Sequence, residues 1–328
     1  MKKFLVFSLI TLVGPTLVFA QNFGIQTQSF NLEIEPKFPD PLSEVRAKVT
    51  SFTFDADRAS YQWTLNGKII QQGTGAKEAS FKVGQAGSLN SLKVIISAPD
   101  GTRLERTLEI YPNSIDLLVE SSSFIPPWYK GAALVTPFGR VKIAAVPNFI
   151  FEGKRLDPKT LVYNWRVDDI PRSDLSGRGR QSITIPTPSS TGGQIKVSVK
   201  ISSPVGTLEQ EASTFVEARR PEILFYERRA LEGTIISQAL SPKTIPAGGE
   251  LEVQAVPFYM NFSSLSELNF LWKVDGQKVI SNSEEEPNIL YVKPQEGSAS
   301  QNALVSLTIN NLKRVLEVVT GTFNIQVQ

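Results

Sequence analysis

The stretch YNWRVDD, residues 163–169, recurs in similar form as YQWTLNG at 61–67 and FLWKVDG at 270–276. Each copy reads aromatic, any residue, Trp, any residue, aliphatic, and then two residues drawn from Asn, Asp and Gly. Successive side chains of a β-strand point to opposite faces, so the aromatic, the Trp and the aliphatic residue share one face. The pattern predicts a half-buried strand that ends in a turn.

The spacing of the three copies indicates a tandem repeat of whole domains. Trp63, Trp165 and Trp272 are separated by 102 and 107 residues, and an immunoglobulin-type sandwich has ~100 residues. A second strand signature follows each Trp after 31, 32 and 33 residues, at Val94, Val197 and Val305. The segments around the three tryptophans are named below the first, second and third repeat.

Turn residues separate the predicted strands. Asn66-Gly67 and Asp275-Gly276 favour the positive φ of a two-residue hairpin turn, whereas Asp168-Asp169 predicts a longer connection in the second repeat. Pro99-Asp100-Gly101 predicts the turn of the later hairpin in the first repeat. A further strand signature precedes each Trp, as VRAKVTSF at 45–52, VKIAAVPNF at 141–149 and LEVQAVPFY at 251–259.

These signals together predict an all-β protein of three tandem immunoglobulin-like β-sandwich domains. The predicted boundaries are 21–111, 112–218 and 219–328. Because Trp63, Trp165 and Trp272 alternate in phase with other apolar residues, we expect them in the domain cores and not on sugar-binding platforms. The joins are short and lack Gly/Ser linkers, which predicts a semi-rigid rod.

The N-terminal segment predicts export. Lys2 and Lys3 precede an apolar run from Phe4 to Phe19, and the small residue Ala20 marks a cleavage site, so residues 1–20 are interpreted as a signal peptide. The run is shorter than the ~20 apolar residues of a membrane-spanning helix. We therefore expect no membrane insertion after cleavage and an extracellular, periplasmic or surface-associated protein, with a retained anchor as the alternative.

The composition excludes several classes of function. The chain has no His and no Cys, which removes Ser-His-Asp and Cys-His catalysis, His-ligated zinc and disulfides. After residue 20 the chain carries 32 basic and 32 acidic residues, and no basic stripe for nucleic acid is visible. Because P-loop and dinucleotide-binding motifs are missing as well, we predict no catalytic residues and no cofactor.

Carboxylates are the remaining source of chemistry. Acidic clusters offer oxygen ligands of the kind that Ca²⁺ prefers, at Asp55 with Asp57, at Asp168, Asp169 and Asp174, and at 284–286. None has the D-x-[DN]-x-[DN]-G spacing of a calcium loop, and solvated turns explain all three clusters. The sequence therefore predicts no metal site.

One Trp lies outside the repeat, in FIPPWYKG at 124–131. Because Pro126-Pro127 cannot extend a central strand, we predict a kink or loop after the first strand of the second domain. Trp128 and Tyr129 then either cap the end of the sandwich or wedge against the first domain. Alternatively, with Lys130, they form an exposed patch for a protein or glycan partner, and these three are the candidate partner-binding residues.

The W-x-[LV]-[ND]-G hairpin and the later LKV-x-I-x-x-PDG hairpin resemble bacterial immunoglobulin-like and PKD-like domains. The layout of signal peptide, YQWTLNG, IDLLVESSSFIPPWYKG and two further W-x-V-D repeats is similar to that of uncharacterised exported proteins of candidate-phyla bacteria. None of the copies has the W-x-F-G-D-G of typical PKD domains, so immunoglobulin-like is the preferred label.

The resemblance implies a non-catalytic, rod-like protein that acts as a spacer, adhesive module or scaffold at the cell envelope. The alternative is an extracellular glycan-binding or glycan-processing protein that uses the loops of one domain.

Overall fold

A computed structural model describes residues 29–240, 242–281, 285–294 and 301–327. The predicted signal peptide lies outside these ranges. Within them the chain forms β-strands and two short 3₁₀ turns, without an α-helix. None of the described helical segments has the length and apolar character needed to cross a membrane.

The first repeat consists of seven strands. They form a three-stranded sheet, β1-β2-β5, and a four-stranded sheet, β4-β3-β6-β7. The strands are β1 (Asn31–Glu35), β2 (Glu44–Thr50), β3 (Ser60–Leu65), β4 (Lys68–Thr74), β5 (Glu78–Lys82), β6 (Asn90–Ser97) and β7 (Arg103–Ile110).

The second repeat follows the same plan with short additions. Its strands are β8 (Ser114–Ser121), β9 (Arg140–Asn148), β10 (Ile150–Phe151), β11 (Lys154–Arg155), β12 (Val162–Val167), β13 (Ile170–Pro171), β14 (Gly177–Arg178), β15 (Ser182–Pro186), β16 (Gln194–Ser202) and β17 (Glu209–Glu217). One sheet has the order β15-β9-β8 and the other β13-β12-β16-β17, with β14 also paired to β12. A 3₁₀ turn, Pro158–Thr160, precedes β12.

The third repeat has a divided first strand. Its strands are β18 (Glu222–Arg229), β19 (Gly233–Thr234), β20 (Lys243–Ile245), β21 (Leu251–Phe258), β22 (Leu268–Val274), β23 (Gln277–Val279), β24 (Ile289–Val292), β25 (Gln301–Asn311) and β26 (Val318–Val327), with a 3₁₀ turn at Leu265–Glu267. The sheets run β19-β18-β21-β24 and β20-β26-β25-β22-β23. Strand β20 pairs in parallel with the last strand, β26, so the N-terminal part of this repeat contributes to both sheets.

This strand order identifies the immunoglobulin-type sandwich in all three repeats. In the usual lettering, strands A, B and E form one sheet and C′, C, F and G the other. The order β8-β9-β15 and the order β13-β12-β16-β17 match that assignment, and the first and third repeats repeat it. The prediction of an all-β protein of tandem immunoglobulin-like sandwiches is therefore confirmed.

The described residues form two compact units. The first contains the residues up to Ile34 together with Ala47–Ala79 and Leu92–Leu108, and the second contains Glu35–Arg46, Ser80–Ser91 and the chain from Glu109 onward. The second unit thus includes both the second and the third repeat. The domain boundaries at 111/112 and 218/219, and the rod-like arrangement, stay predictions.

The repeated Trp lies on strand C of each sandwich. Trp63, Trp165 and Trp272 are at most 1% exposed and are among the largest fully buried side chains. Each indole N–H donates a hydrogen bond to the carbonyl two residues before strand E, at 2.8 Å to Ala76, 2.9 Å to Arg180 and 3.0 Å to Pro287. A buried indole N–H needs such an acceptor. This bond therefore connects strand C to the segment that leads into strand E of the opposite sheet.

The turn at Asp168-Asp169 differs from the prediction. Val167 pairs directly with Ile170, so the connection is a two-residue hairpin and not a longer one. Asp168 and Asp169 both adopt left-handed φ, 50° and 61°, which Asp tolerates better than most residues because its short side chain bonds locally. The Asp168 carboxylate accepts the Lys196 N–H at 2.9 Å, which fixes the turn against strand F.

Candidate functional site

The segment FIPPWYKG lies in the connection between β8 and β9 and forms no strand. Trp128 and Tyr129 are half-buried and Lys130 is exposed. The two rings pack on the third repeat, against a cluster of Tyr226, Val256, Phe258 and Tyr259. The sequence predicted instead a cap on the second sandwich or a wedge against the first domain. The rings pack on the third repeat because strands β18 and β21 present an aromatic face there.

Ring geometry describes this aromatic joint, which consists of Trp128 and Tyr129 on the second repeat and Tyr226, Phe258 and Tyr259 on the third. Trp128 meets Tyr226 and Phe258 edge-on, with ring centroids 5.4 and 5.8 Å apart. Tyr129 meets Phe258 at 5.3 Å, and the Tyr259 hydroxyl donates to the Tyr129 hydroxyl at 3.0 Å. Edge-to-face pairs of this kind add to the free energy of plain apolar burial.

Burial changes the ionisation of the tyrosines in the joint. It raises the pKa of Tyr259 above its usual range, and the hydrogen bond with Tyr129 raises it further. Burial also raises the pKa of Tyr226, with a smaller contribution from the nearby charge of Glu222. Both phenols therefore remain neutral at physiological pH and act as packing and hydrogen-bonding groups.

Backbone hydrogen bonds extend the joint. The N–H of Phe124 donates to the carbonyl of Met260 at 2.7 Å, and the N–H of Tyr259 donates to the carbonyl of Phe124 at 2.7 Å. The Phe124 ring lies 4.5 Å from the ring of Phe262. The connection between β8 and β9 therefore pairs with the end of β21 as a short strand would, and this fixes the direction in which the aromatic pair is presented.

A buried carboxylate lies beside the aromatic joint. Glu317, in the turn between β25 and β26, is 3% exposed. Its Oε1 accepts the backbone N–H of Asn261 at 2.8 Å and the Nδ2 of Asn261 at 2.7 Å, while Oε2 accepts the Nδ2 of Asn311 at 2.6 Å. A buried charge is costly unless it is hydrogen-bonded, and these three donors supply that compensation.

Asn261 carries this network across to the second repeat. Its Nδ2 also donates to Thr136 Oγ1 and to the Pro137 carbonyl, both at 3.1 Å. Thr136 Oγ1 donates to the carbonyl of Tyr259 at 2.7 Å. A side chain at position 139 would overlap the Asn261 amide, so Gly139 permits the close approach. The carboxylate network of Glu317, Asn261, Asn311 and Thr136 therefore joins the two repeats through buried hydrogen bonds.

A cavity of about 450 Å³ opens next to this network. Its walls come from the β8–β9 connection, the β15–β16 connection, the join at Arg220-Pro221 and the β25–β26 turn, and the last of these includes Glu317. Three exposed hydroxyl residues, Ser189, Ser190 and Thr191, and the cation of Arg220 line the cavity, while Phe138 and Leu316 supply apolar surface. The volume is in the range of small-molecule pockets.

The acidic clusters singled out in the sequence are engaged in local contacts. Asp57 pairs with Lys77 at 2.7 Å, Asp169 with Lys196 at 2.9 Å, and Asp174 with Arg172 at 2.8 Å. The hydrogen bond from Arg172 lowers the pKa of Asp174. Glu284 lies outside the described residues. Among those that the structure does describe, no three acidic side chains come together as a metal site would require.

Sequence reasoning pointed to FIPPWYKG but missed the carboxylate network. Glu317 stands in the segment NNLKRVLEVV, which mixes charged and apolar residues without a recognisable motif, and Asn261 lies 56 residues earlier in the chain. The one signal in the sequence for a contact at this place was the aromatic-rich stretch VPFYMNF, 256–262. Its apolar residues continue beyond the end of strand β21 at Phe258.

No protein-family model and no curated protein matches the chain. Similar solved structures are tandem arrays of β-sandwich domains. The three N-terminal domains of the bacteriophage RB49 highly immunogenic outer capsid protein cover 92% of this chain and 98% of that chain, at 14% identity and a TM-score of 0.27.

Two further structures are similar in the same way. The central fibronectin-III array of RIM-binding protein covers 91% of this chain and 96% of that chain, at 12% identity and a TM-score of 0.31. SGBP-B of the Bacteroides ovatus mixed-linkage glucan utilization locus was solved with a mixed-linkage heptasaccharide. Its alignment covers 92% of this chain and 71% of that chain, at 12% identity and a TM-score of 0.23. The fold assignment rests on the strand order of the repeats and not on these alignments.

Proposed function

We propose that this chain is a non-catalytic exported protein that serves as a spacer, adhesive module or scaffold at the cell envelope. The observation that carries the proposal is the joint between the second and third repeats, in which an aromatic cluster and a buried carboxylate network occur side by side. Such a joint fixes the direction of one sandwich relative to the next. A spacer or scaffold needs that property, whereas a catalytic centre does not.

The ionisable groups support the same proposal. Three acidic side chains of the clusters above, Asp57, Asp169 and Asp174, pair with a neighbouring Lys or Arg at the surface. The tyrosines of the joint have pKa values raised by burial. Catalytic acids and bases are instead expected to have a pKa shifted toward neutrality within a cleft.

Export is tested by expressing the full chain, with residues 1–20, in a bacterial host. We expect N-terminal sequencing of the protein recovered outside the cytoplasmic membrane to begin at Gln21. Membrane-bound protein that retains Met1 would instead indicate an anchor. The non-catalytic part of the proposal is tested by incubating the purified protein with polysaccharides, where release of new reducing ends would contradict it.

A second candidate function, glycan binding, is favoured by the cavity beside the carboxylate network. Its hydroxyl residues, the cation of Arg220 and the apolar Phe138 are groups that a sugar with a carboxylate would use. An array of neutral and acidic glycans tests this. If it is right, Arg220→Ala reduces binding of acidic glycans, whereas Arg219→Ala, at the neighbouring position and paired with Glu217, does not. Equal binding by both variants, or none by the wild type, rejects this candidate.

A further inference from the structure

The large sheet of the third repeat is basic. This sheet, β20-β26-β25-β22-β23, has three Lys in its strands and neither Asp nor Glu. The corresponding sheets of the first and second repeats each carry at least two Glu, and the chain after residue 20 has equal numbers of basic and acidic residues. One of the three lysines, Lys243, is neutralised by Glu227 at 2.7 Å. The charge of the other two attracts an anionic partner.

These two lysines lie directly opposite each other. Lys273 on β22 pairs with Lys278 on β23 in the antiparallel ladder, and both are exposed. Like charges in opposite positions destabilise a sheet. Within the described part of the chain neither lysine forms an ion pair, and the carboxylate of Asp275, in the turn between them, accepts the backbone N–H of Leu304 at 2.8 Å instead. An anion between the two ammonium groups would remove their repulsion.

The lysine pair extends a row of hydroxyl side chains across the sheet. Thr322 on β26 is opposite Ser306 on β25, and Ser306 is opposite Lys273. In the adjacent row the hydroxyls of Thr308 and Thr320 lie 3.2 Å apart. Residues that are opposite each other in neighbouring strands share one face of the sheet. The outer face of this sheet therefore presents two cations beside hydroxyl groups, each of which can both donate and accept hydrogen bonds.

The hydroxyl row begins at the cavity that contains Arg220. Val318 and Thr320 on β26 line that cavity, and both are exposed on the outer face of the sheet. Three strand spacings separate β26 from β23, so the lysine pair lies ~14 Å across the sheet from the strand that borders the cavity. A ligand that reaches both Arg220 and the lysine pair must be an extended chain with several anionic groups.

We propose that this outer face binds an extended acidic glycan. One carboxylate of the chain lies at Arg220 in the cavity, its sugar hydroxyls bond to the hydroxyl row, and a further carboxylate lies between Lys273 and Lys278. The inference rests on the glycan-binding candidate proposed above and extends that site from a single sugar to a chain. Because the strands of the sheet contain no acidic residue, they do not repel such a chain.

The test is calorimetric titration of the purified exported chain with digalacturonate and with hexagalacturonate. We expect the hexamer to bind more tightly, because only the hexamer reaches the lysine pair. The double variant Lys273→Gln/Lys278→Gln should weaken binding of the hexamer about tenfold and leave binding of the dimer unchanged. Arg220→Ala should weaken binding of both.

A matched control removes two lysines elsewhere. Lys48→Gln/Lys293→Gln changes the net charge by the same amount, but these lysines pair with Glu78 and Glu250. This variant should bind both oligomers as the wild type does. Thermal unfolding of each variant verifies that the fold is intact.

The outcomes separate this inference from the candidate on which it rests. If the wild type binds neither oligomer, both are rejected. If Arg220→Ala weakens binding but the variant of Lys273 and Lys278 binds the hexamer as the wild type does, the inference is rejected and the cavity remains a candidate glycan site. If inorganic polyphosphate binds to the lysine pair as tightly as the hexamer, the face attracts any polyanion, and its assignment to a glycan is overturned.

Discussion

At the residue scale, the repeated Trp illustrates what a sequence pattern determines and what it leaves out. Period-two alternation places Trp63, Trp165 and Trp272 on the apolar face of strand C, and all three are buried. The acceptor of each indole N–H lies 13 or 15 residues later in a loop without any pattern. It could not be predicted, because a backbone carbonyl carries no residue-specific signal.

The contribution of the indole is measurable in the second repeat. Trp165→Ala removes a fully buried side chain and should lower the free energy of unfolding by ~3–5 kcal/mol. Trp165→Phe keeps an aromatic ring but leaves the Arg180 carbonyl unpaired, which costs ~1–3 kcal/mol. Urea titrations followed by tryptophan fluorescence check both values. Unchanged unfolding of the alanine variant would contradict a core position.

Tyr163, two residues before this Trp, predicts that the stability of the second repeat falls at alkaline pH. Burial, with a contribution from Asp157, raises the pKa of Tyr163 to about 12, against about 10 in an unfolded chain. The neutral phenol is therefore favoured in the folded state. The resulting stability is complete below pH 10 and is lost as the pH rises from 10 through 12, by at most about 1.4 kcal/mol per pH unit.

The variant Tyr163→Phe isolates this effect. It loses the hydrogen bond from the phenol to the Pro158 carbonyl, so it should be less stable than the wild type by ~1 kcal/mol at pH 7. Between pH 10 and 12 its unfolding free energy should fall less steeply than that of the wild type. Urea titrations across this range give the comparison, and identical slopes would argue against a raised pKa.

At the element scale, strands were predictable and one turn was not. The strand signatures at 45–52, 141–149 and 251–259 correspond to β2, β9 and β21, because apolar alternation reports directly on a half-buried sheet. Asp168-Asp169 lacks the Gly that usually permits left-handed φ, so its two-residue turn was missed. The carboxylate of Asp168 bonds to strand F instead, which offsets the backbone cost.

The backbone strain of that turn can be tested by exchanging its second residue with the residue at the same position in the turn of the first repeat. Asp169→Gly gives the second repeat the Asx-Gly turn of its neighbours, and at φ 61° it should stabilise by about 1 kcal/mol. The lost ion pair with Lys196 is exposed and contributes little. The reverse change, Gly67→Asp, has no neighbouring atoms within 4 Å and should destabilise by a similar amount through φ alone.

Thermal unfolding of the two variants measures both effects. Their opposite signs form an internal control, since both are two-residue hairpin turns with positive φ at both central residues. If Asp169→Gly were destabilising, the ion pair with Lys196 or the Asp side chain itself would have to matter more than backbone strain.

At the scale of the whole molecule, the second unit derives its cohesion from contacts that no local pattern encodes. The connection between β8 and β9 reaches residues of the third repeat that lie more than 120 positions away, as the bonds from Thr136 and Asn261 illustrate. The sequence indicated that FIPPWYKG was unusual. It did not indicate the partner, because complementarity between two surfaces is a property of the folded pair.

The aromatic joint predicts coupled unfolding of the second and third repeats. The double variant Trp128→Ala/Tyr129→Ala removes the ring contacts with Tyr226 and Phe258. We expect a loss of about 3 kcal/mol of stability. In calorimetry, a transition shared by the two repeats in the wild type should separate into two. Lys130→Ala, at the adjacent exposed position, should leave the transition unchanged.

The same variants separate a structural role from partner binding. If the pair serves the joint, the double variant loses coupling while adhesion to cells and binding to glycans stay as in the wild type. If it serves a partner, the double variant unfolds as the wild type does but no longer binds, and Lys130→Ala weakens binding as well. Because both rings are half-buried against the third repeat, the first result is expected: the contacts that remove them from solvent also make them unavailable to a partner.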